Sequence, residues 1–231
     1  MIATLAVCLM TLASAAAAPV RGFRARAADD APPPVSLAFV YDSSYLAGYG
    51  GGKSFGRRKE LFAALADFVR HGDRRTEYFV IHFGTSARLL LDGTTSVEAT
   101  LQTLSQLASV PHEGATSLYD SCLFAIDTLA RGRHKRRAII LLTDGEDTVS
   151  QRPFRDVVEQ LADKRITLYA VNYQIPDVKS PDLNNRGRHV LNTLASISNG
   201  RVFQLEKSKA GLTFFQIIAN DLNARLPEPS Q

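Results

Sequence analysis

Oxygen-bearing side chains flank three apolar segments of the 231-residue sequence, and together they could bind a hard metal cation. Asp42 and Ser44 follow the first apolar segment, and Asp144 follows the most apolar one. Thr116 stands just before a third segment, which has helical spacing. Two carboxylates and two hydroxyls suit Mg²⁺, which accepts few protein ligands, keeps several waters and prefers octahedral coordination. We therefore expect these four residues to bind Mg²⁺ or Mn²⁺ weakly.

Each candidate ligand also has a purely structural interpretation. Asp and Ser after a strand often cap the next helix, and residues 117–120, Ser-Leu-Tyr-Asp, fit a capping box. Residues 143–145, Thr-Asp-Gly, are typical of a tight turn. A metal site is favoured if these side chains meet at one end of one sheet. Whether they do depends on the strands and helices that position them.

Strands and helices alternate along the sequence from residue 35 to residue 226. Short apolar runs predict strands at 35–41, 77–83, 87–91, 138–142, 167–173 and 202–205. Apolar residues at helical spacing predict helices at 57–70, 96–110, 118–130, 153–164, 189–198 and 212–226. Six strands separated mainly by helices indicate an α/β fold of the Rossmann-like kind, with a doubly wound, mostly parallel sheet and helices on both faces.

The order of these elements places the candidate ligands at one end of the sheet. We call the carboxyl end of the first strand the top. The short turn at 84–86 makes a hairpin, so the strand at 87–91 runs downward as an antiparallel edge strand. The helices and the strand that follow cross the sheet in alternating directions. The loops 42–54, 111–117 and 143–148 therefore all lie at the top. Ligands of open α/β sheets bind at this end, where the strand order reverses.

Three motifs resemble the signatures of the von Willebrand factor type A domain. They are residues 37–44 (LAFVYDSS), 114–120 (GATSLYD) and 139–147 (IILLTDGED), and the resemblance extends from 35 to 226. Residues 194–206, LASISNGRVFQLE, are similar to the end of bacterial secreted members. The resemblance implies a non-enzymatic protein-binding module with a metal-ion-dependent adhesion site. Its metal ligands would be Asp42, Ser44, Thr116 and Asp144, and an acidic side chain of a partner protein would complete the coordination.

The first motif departs from the family pattern at one position. The family has a final Ser where this sequence has Leu46, so the resemblance implies an incomplete site with one direct ligand fewer. We expect a partner-facing rim around the metal. It would consist of Tyr45, Leu46, Tyr49, Glu146 and Asp147. A scaffold of the same fold that binds proteins without metal remains the alternative.

Residues 47–54, AGYGGGKS, suggest a different function. They fit a relaxed phosphate-binding loop, and residues 139–144 could serve as the apolar strand whose final Asp holds Mg²⁺ in a nucleotide hydrolase. The fit is poor because five residues separate this loop from the preceding strand, and because the 114–120 motif would have no role. A glycine-rich loop beside the metal site is the better interpretation. No other catalytic constellation is supported by the sequence.

The ends of the chain indicate export. Residues 1–18 are apolar and small, which predicts a signal peptide or an N-terminal anchor, although Arg21, Arg24 and Arg26 follow it. Residues 19–34 form an Arg- and Pro-rich linker, 35–226 the domain and 227–231 a tail. We expect a periplasmic or extracellular protein that inserts no further segment into a membrane.

The charge of the chain is too small to predict a nucleic-acid partner. The formal net charge is +4, and the densest basic run is residues 132–137, GRHKRR. This run lies at the bottom of the predicted sheet, opposite the candidate site. The simpler explanation is that these residues form a solvent-exposed turn after a helix. The alternative is that they form a binding surface for an anionic partner.

Overall fold

The protein is described here by a computed structural model that covers residues 31–44, 52–112, 114–173, 181–205 and 213–224. All of the described elements belong to one compact unit, Pro32–Gln231. The strands are β1 (Val35–Asp42), β2 (Glu77–Phe83), β3 (Ala87–Thr94), β4 (Arg136–Leu142), β5 (Ile166–Asn172) and β6 (Val202–Gln204). The helices are α1 (Gly52–His71), α2 (Val97–Leu107), α3 (Leu118–Ala130), α4 (Phe154–Lys164), α5 (Pro181–Ile197) and α6 (Thr213–Asn223).

The strands form one sheet in the order β3-β2-β1-β4-β5-β6. β1 pairs in parallel with both β2 and β4, and β3 is antiparallel to β2. This confirms the predicted α/β fold, including the antiparallel edge strand. The chain leaves β1 toward β2 on one side and returns to β4 on the other, so the strand order reverses beside β1.

Helices cover both faces of the sheet and divide the core into two layers. Leu37, Phe39 and Tyr41 of β1 face one layer, and Ala38 and Val40 face the other. All eight residues of β1 are buried. Burial on both faces explains why β1 is a nearly continuous apolar run rather than an alternating one.

The structure corrects several predicted boundaries. α1 begins at Gly52 rather than at residue 57, and α5 begins at Pro181 rather than at residue 189. In both cases the added turns contain glycines and polar residues, which carry no apolar periodicity for the sequence to reveal. α2 ends at Leu107, three residues early, and β3 extends to Thr94. Within the described residues, no helix is both long and apolar enough to span a membrane.

Candidate metal site at the carboxyl end of the sheet

The end of β2 joins the first and second top loops. Ser43 N donates to Phe83 O over 2.7 Å, and the Ser43 hydroxyl donates to the same carbonyl over 2.9 Å. Ser117 makes the same pair of bonds to Gly84, the residue after Phe83. Its N–H and its hydroxyl donate to Gly84 O over 2.8 and 2.9 Å. The hairpin turn after β2 therefore holds both loops, a role that the sequence analysis did not assign to it.

The second and third top loops are joined through Thr116. Its carbonyl accepts hydrogen bonds from Thr148 N over 2.8 Å and from Val149 N over 3.1 Å. Its own N–H donates to the Thr148 hydroxyl over 2.9 Å. The three loops that the sequence predicted at the top are thus connected into one structure.

Asp42 is fully buried at the end of β1 and is held from three directions. Its Oδ1 accepts from Ser44 N over 2.9 Å, and its Oδ2 accepts from the Thr143 hydroxyl over 2.7 Å. Tyr173 donates to the Asp42 backbone carbonyl over 2.6 Å. Burial raises the pKa of Asp42 to about 6, although the hydrogen bonds from Thr143 and Ser44 oppose the rise. Each carboxylate oxygen retains a lone pair that could contact a cation.

Asp144 is 2% exposed and is only partly satisfied. Its Oδ1 accepts from Glu146 N over 3.0 Å, which closes the turn that the sequence predicted. Its Oδ2 is buried and has no hydrogen-bond partner among the described residues. Burial, and after it the charge of Asp42, raises the pKa of Asp144 to about 7. The two carboxylates are therefore close enough to repel each other in a site that excludes water.

The hydroxyls of Ser44 and Thr116 are the other unsatisfied groups of the site. Both residues are fully buried, and neither hydroxyl oxygen has a hydrogen-bond partner in the described chain. The Ser44 hydroxyl is near enough to Asp42 to lower its pKa, but it does not reach hydrogen-bonding geometry. A buried polar group without a partner costs about 1–3 kcal/mol. Such a cost is seldom retained without a reason.

Three of the four predicted ligands therefore carry a buried oxygen with no partner, and all three oxygens belong to hard ligands for a cation. The residues fit a small divalent ion, because two mutually repelling carboxylates and two unpaired hydroxyls are what a cation would satisfy. In the described part of the chain, no group of three or more His, Cys, Asp or Glu residues could hold a metal. The hydroxyls would therefore have to contribute.

The predicted rim is described only in part. Tyr45, Leu46 and Tyr49 lie outside the described residues. Glu146 is half-buried, and its Oε1 accepts from Gly187 N over 3.2 Å. This bond fixes part of the Glu146 carboxylate to α5 rather than to a partner.

Asp147, the remaining rim residue, acts as a cap for α3. Its Oδ1 accepts from Tyr119 N over 3.2 Å and from the Ser150 hydroxyl. The Ser150 hydroxyl in turn lies 3.1 Å from the backbone nitrogens of Tyr119 and Asp120. Ser117 stands at the N-cap position without a side-chain cap bond. The capping box expected at 117–120 is therefore wrong, because the third loop supplies the cap.

A close contact between two glycines supports the third loop. Gly145 has φ of +87°, and a Cβ on it would lie 2.4 Å from Gly187 O. A Cβ on Gly187 would lie 2.4 Å from Asp144 O. A side chain on Gly145 would displace the Gly187 backbone, and one on Gly187 would displace the Asp144 backbone. No local sequence pattern predicts this contact, because the two glycines are far apart in the chain.

Among the described residues of this region, Ser43 and His82 form the one arrangement that suggests catalysis. The Ser43 hydroxyl lies 3.4 Å from His82 Nδ1, but it donates to Phe83 O over 2.9 Å. A nucleophilic serine would donate to its base rather than to a backbone carbonyl. Residues 52–54 of the glycine-rich motif form the first turn of α1, and residues 45–51 lie outside the described part.

A scan against family models matches residues 36–217 to the von Willebrand factor type A domain. No curated protein matches the chain significantly. Among solved structures, the vWF domain of the type V pili tip protein Mfa5 from Porphyromonas gingivalis is 13% identical with a TM-score of 0.65, covering 86% of this chain and 99% of that one. An aerotolerance-related membrane protein from Bacteroides fragilis is 18% identical with a TM-score of 0.58, covering 82% and 98%.

A third similar structure contains a metal. Proximal thread matrix protein 1 from the mussel byssus, with a zinc-occupied MIDAS motif, is 18% identical with a TM-score of 0.61, covering 83% of this chain and 48% of that one. At such low sequence identities, the structural similarity establishes a shared fold and nothing more. The family match extends over most of the sequence and includes all three top loops. The chain therefore belongs to the von Willebrand factor type A domain family.

Proposed function

We propose that this protein is a non-catalytic binding module that uses a divalent cation at the top of the sheet to hold an acidic group of a partner protein. The cation would be Mg²⁺ or Mn²⁺, bound by Asp42, Ser44, Thr116 and Asp144. Family membership supports a protein-interaction role. The observation that carries the metal proposal is the set of buried, unpartnered oxygens on Ser44, Thr116 and Asp144.

A cation at this position would remove the electrostatic cost of the site. Burial raises the pKa of Asp42, and burial together with the charge of Asp42 raises the pKa of Asp144, because both effects disfavour the charged carboxylate. A positive ion reverses this balance, since an opposite charge nearby favours both carboxylates. The sequence has Leu46 where the family has a ligand, and Mg²⁺ replaces a missing ligand readily with water. Weak binding with several retained waters follows.

The acidic partner follows from the chemistry of a bound hard cation. Four protein ligands and one or more waters leave exchangeable positions, and a carboxylate is the hard, charged ligand that would displace a water. The carboxylate would come from the partner because both acidic groups nearest the ligands, Glu146 and Asp147, bind backbone N–H groups of this chain. Partner binding should therefore be abolished by a chelator.

Thr116→Val tests the metal site with little structural disturbance. Valine keeps the shape of threonine but removes a hydroxyl that makes no hydrogen bond here. We expect calorimetric titration with Mg²⁺ and Mn²⁺ to show affinity reduced at least about tenfold in this variant. Saturating metal, at about 100 times the dissociation constant, should stabilise the unmodified protein by about 2.7 kcal/mol.

Thr128→Val is the matched control, because Thr128 is equally buried but its hydroxyl donates to Phe124 O over 2.8 Å. This variant should lose some stability and keep its metal affinity. Absence of metal binding in the unmodified protein, with no change in melting temperature in millimolar Mg²⁺, would leave the metal-free scaffold as the better account.

We also propose that the domain, residues 35–226, works outside the cytoplasm. The apolar residues 2–12 and the small residues 13–18 support this, because that order is typical of an export signal. Fractionation of cells that express the full chain would test it. Recovery of the protein solely in the cytoplasm would contradict export and leave the metal-site proposal unaffected.

A further inference from the structure

We propose that the lower end of the sheet docks on a membrane surface that carries anionic lipid headgroups. The docking surface consists of residues 70–75 and 131–137, which we call the lower basic surface. It contains eight Arg and Lys residues, and the carboxylates within, beneath or beside it are Asp67, Asp73 and Glu77. The formal charge of these groups together is therefore +5. Because the whole chain carries +4, all other residues together carry −1.

Hydrogen bonds join the two segments into one surface. His134 Nε2 lies 3.0 Å from Arg75 O, which connects the loop before β4 to the loop before β2. Glu77 Oε2 accepts from Arg133 N over 2.8 Å, and its Oε1 accepts from Arg133 Nε over 3.1 Å. The positive charges are thus held on a single connected structure rather than on independent tails.

The acidic groups of this region are already occupied. Asp73 forms an ion pair with Arg75 over 2.6 Å, and Glu77 is buried beneath Arg133. The remaining exposed cations have no ion-pair partner in the part of the chain that the structure describes. These are Arg70, Arg74, Arg131 and Lys135. They are available to an external anion, and guanidinium groups bind phosphate oxygens especially well.

The composition and position of the surface favour a membrane over a nucleic acid. In the described residues, the exposed large apolar side chains are Leu90, Phe124 and Val149, and none lies on this surface, so it offers no exposed Phe, Tyr or Trp ring for stacking a base. β1 begins at this end, where Val35 pairs with Arg136. The sequence ahead of β1 contains three arginines and an apolar segment, both suited to a lipid surface.

Docking at the lower end would leave the candidate metal site accessible. The metal-binding loops follow the carboxyl ends of β1 and β4, whereas the lower basic surface lies at the amino ends of β2 and β4. A protein held by its lower end would therefore present the top of the sheet away from the bilayer. This inference does not depend on whether the metal binds.

Vesicle co-sedimentation in EDTA tests the proposal without involving the metal site. Full-length protein is mixed with vesicles of phosphatidylcholine alone or of phosphatidylcholine with phosphatidylglycerol. Neutral vesicles report any binding through the apolar N-terminal segment, and the excess on anionic vesicles reports the lower basic surface. We expect such an excess, and we expect about 0.5 M salt to remove most of it because salt screens exposed charges.

A triple charge reversal, Arg74→Glu, Arg131→Glu and Lys135→Glu, should weaken binding to anionic vesicles by about 100-fold, since each basic residue contributes about 1 kcal/mol near such a surface. The matched control reverses three exposed cations elsewhere. They are Lys59, Arg88 and Arg155. Both variants have the same net charge, so the control should retain most of the binding. If the triple reversal fails to fold, a variant with Gln at the same three positions is tested instead. Its binding to anionic vesicles should also be weakened, by a smaller factor.

Three results would overturn the proposal. The first is equal binding of the unmodified protein to neutral and anionic vesicles. The second is an equal loss in the triple reversal and its control, which would indicate net charge rather than this surface. The third is tight binding to a DNA duplex or single-stranded RNA without binding to anionic vesicles, which would assign the surface to nucleic acid.

Discussion

Buried carboxylates lie at opposite ends of the same sheet, and the two ends differ in how the protein satisfies them. Glu77, at the lower end of β2, accepts hydrogen bonds from the Ser36 hydroxyl over 2.6 Å and from Arg133 N over 2.8 Å. At the top, Asp144 keeps an oxygen without a partner among the described residues, and the charge of the Asp42 carboxylate adds to the rise of its pKa. The chain itself supplies partners for the carboxylate at the lower end, whereas its described part leaves an oxygen of Asp144 at the top without one.

The pKa values record the same difference. Burial alone would raise the pKa of Glu77, but hydrogen bonds from Ser36 and Arg133 and the charge of Arg133 lower it overall. Burial raises the pKa of Asp144 to about 7, and the charge of Asp42 adds to the rise. A buried carboxylate whose partners are built into the fold stabilises it. One that lacks them costs stability and suggests that a ligand supplies the missing partner.

Glu77→Ala should produce the largest loss of stability in this comparison. The substitution removes the acceptor for the Ser36 hydroxyl and for two groups of Arg133. The buried hydroxyl proton is left without an acceptor, although the Ser36 oxygen still accepts from His134 N. We expect the free energy of unfolding in urea to fall by about 2–3 kcal/mol. Glu159→Ala is the control, because Glu159 is 65% exposed in its ion pair and should change stability little. Equal effects would show that the Glu77 network is not structural.

The lower network was not predicted from the sequence, although the strands that form it were. The apolar runs at 35–41 and 77–83 predicted β1 and β2 within one residue, because burial on both faces leaves a clear local pattern. Ser36 and Glu77 interrupt those runs, but nothing local shows that they face each other. Gly132 permits the contact, since a Cβ there would lie 2.7 Å from Ser36 Oγ.

The same distinction applies to the upper site. The motifs and the direction count predicted that Asp42, Ser44, Thr116 and Asp144 would meet at the top, and the hydrogen bonds that join their loops agree with this placement. The supporting contacts could not be predicted. Tyr173, the residue after β5, reaches Asp42 through long-range packing rather than through a sequence motif. The apolar patterns therefore predict which ends of strands meet, whereas long-range hydrogen bonds decide how side chains there are held.

Asp144→Asn should stabilise the metal-free protein, in contrast to Glu77→Ala. Because the folded-state pKa of Asp144 is raised from 3.8 to about 7, its unfavourable contribution is absent below 3.8, grows as pH rises from there, and is fully present above about 7. Asparagine keeps an oxygen for Glu146 N and removes the charge. We expect a gain of about 1–2 kcal/mol at pH about 8 in EDTA, and almost none at pH about 4.

The pH dependence of Glu77 provides the matching control. Its folded-state pKa is lowered, so the stability that it contributes is present above its ordinary pKa of 4.5 and is lost as pH falls below that value. Denaturation of the Asp144→Asn and Glu77→Ala variants at both pH values separates the two behaviours. A gain from Asp144→Asn that is the same at both pH values would mean that its charge is not the cause.

Ser44→Ala should have the smallest effect of this series, and it is the most direct test of the unpartnered oxygens. The Ser44 hydroxyl is fully buried and makes no hydrogen bond within the described chain, so its removal in EDTA should stabilise the protein by about 1 kcal/mol. Ser121→Ala is the matched control. Ser121 is also fully buried, but its hydroxyl lies 3.2 Å from that of Ser117, so alanine should cost about 1 kcal/mol there.

In saturating Mg²⁺ the effect of Ser44→Ala on stability should change from a gain to a loss, because the variant then lacks a ligand that the unmodified protein uses. A loss of stability from Ser44→Ala in EDTA as large as that from Ser121→Ala would mean that Ser44 already has a structural partner, and the case for a cation there would fail.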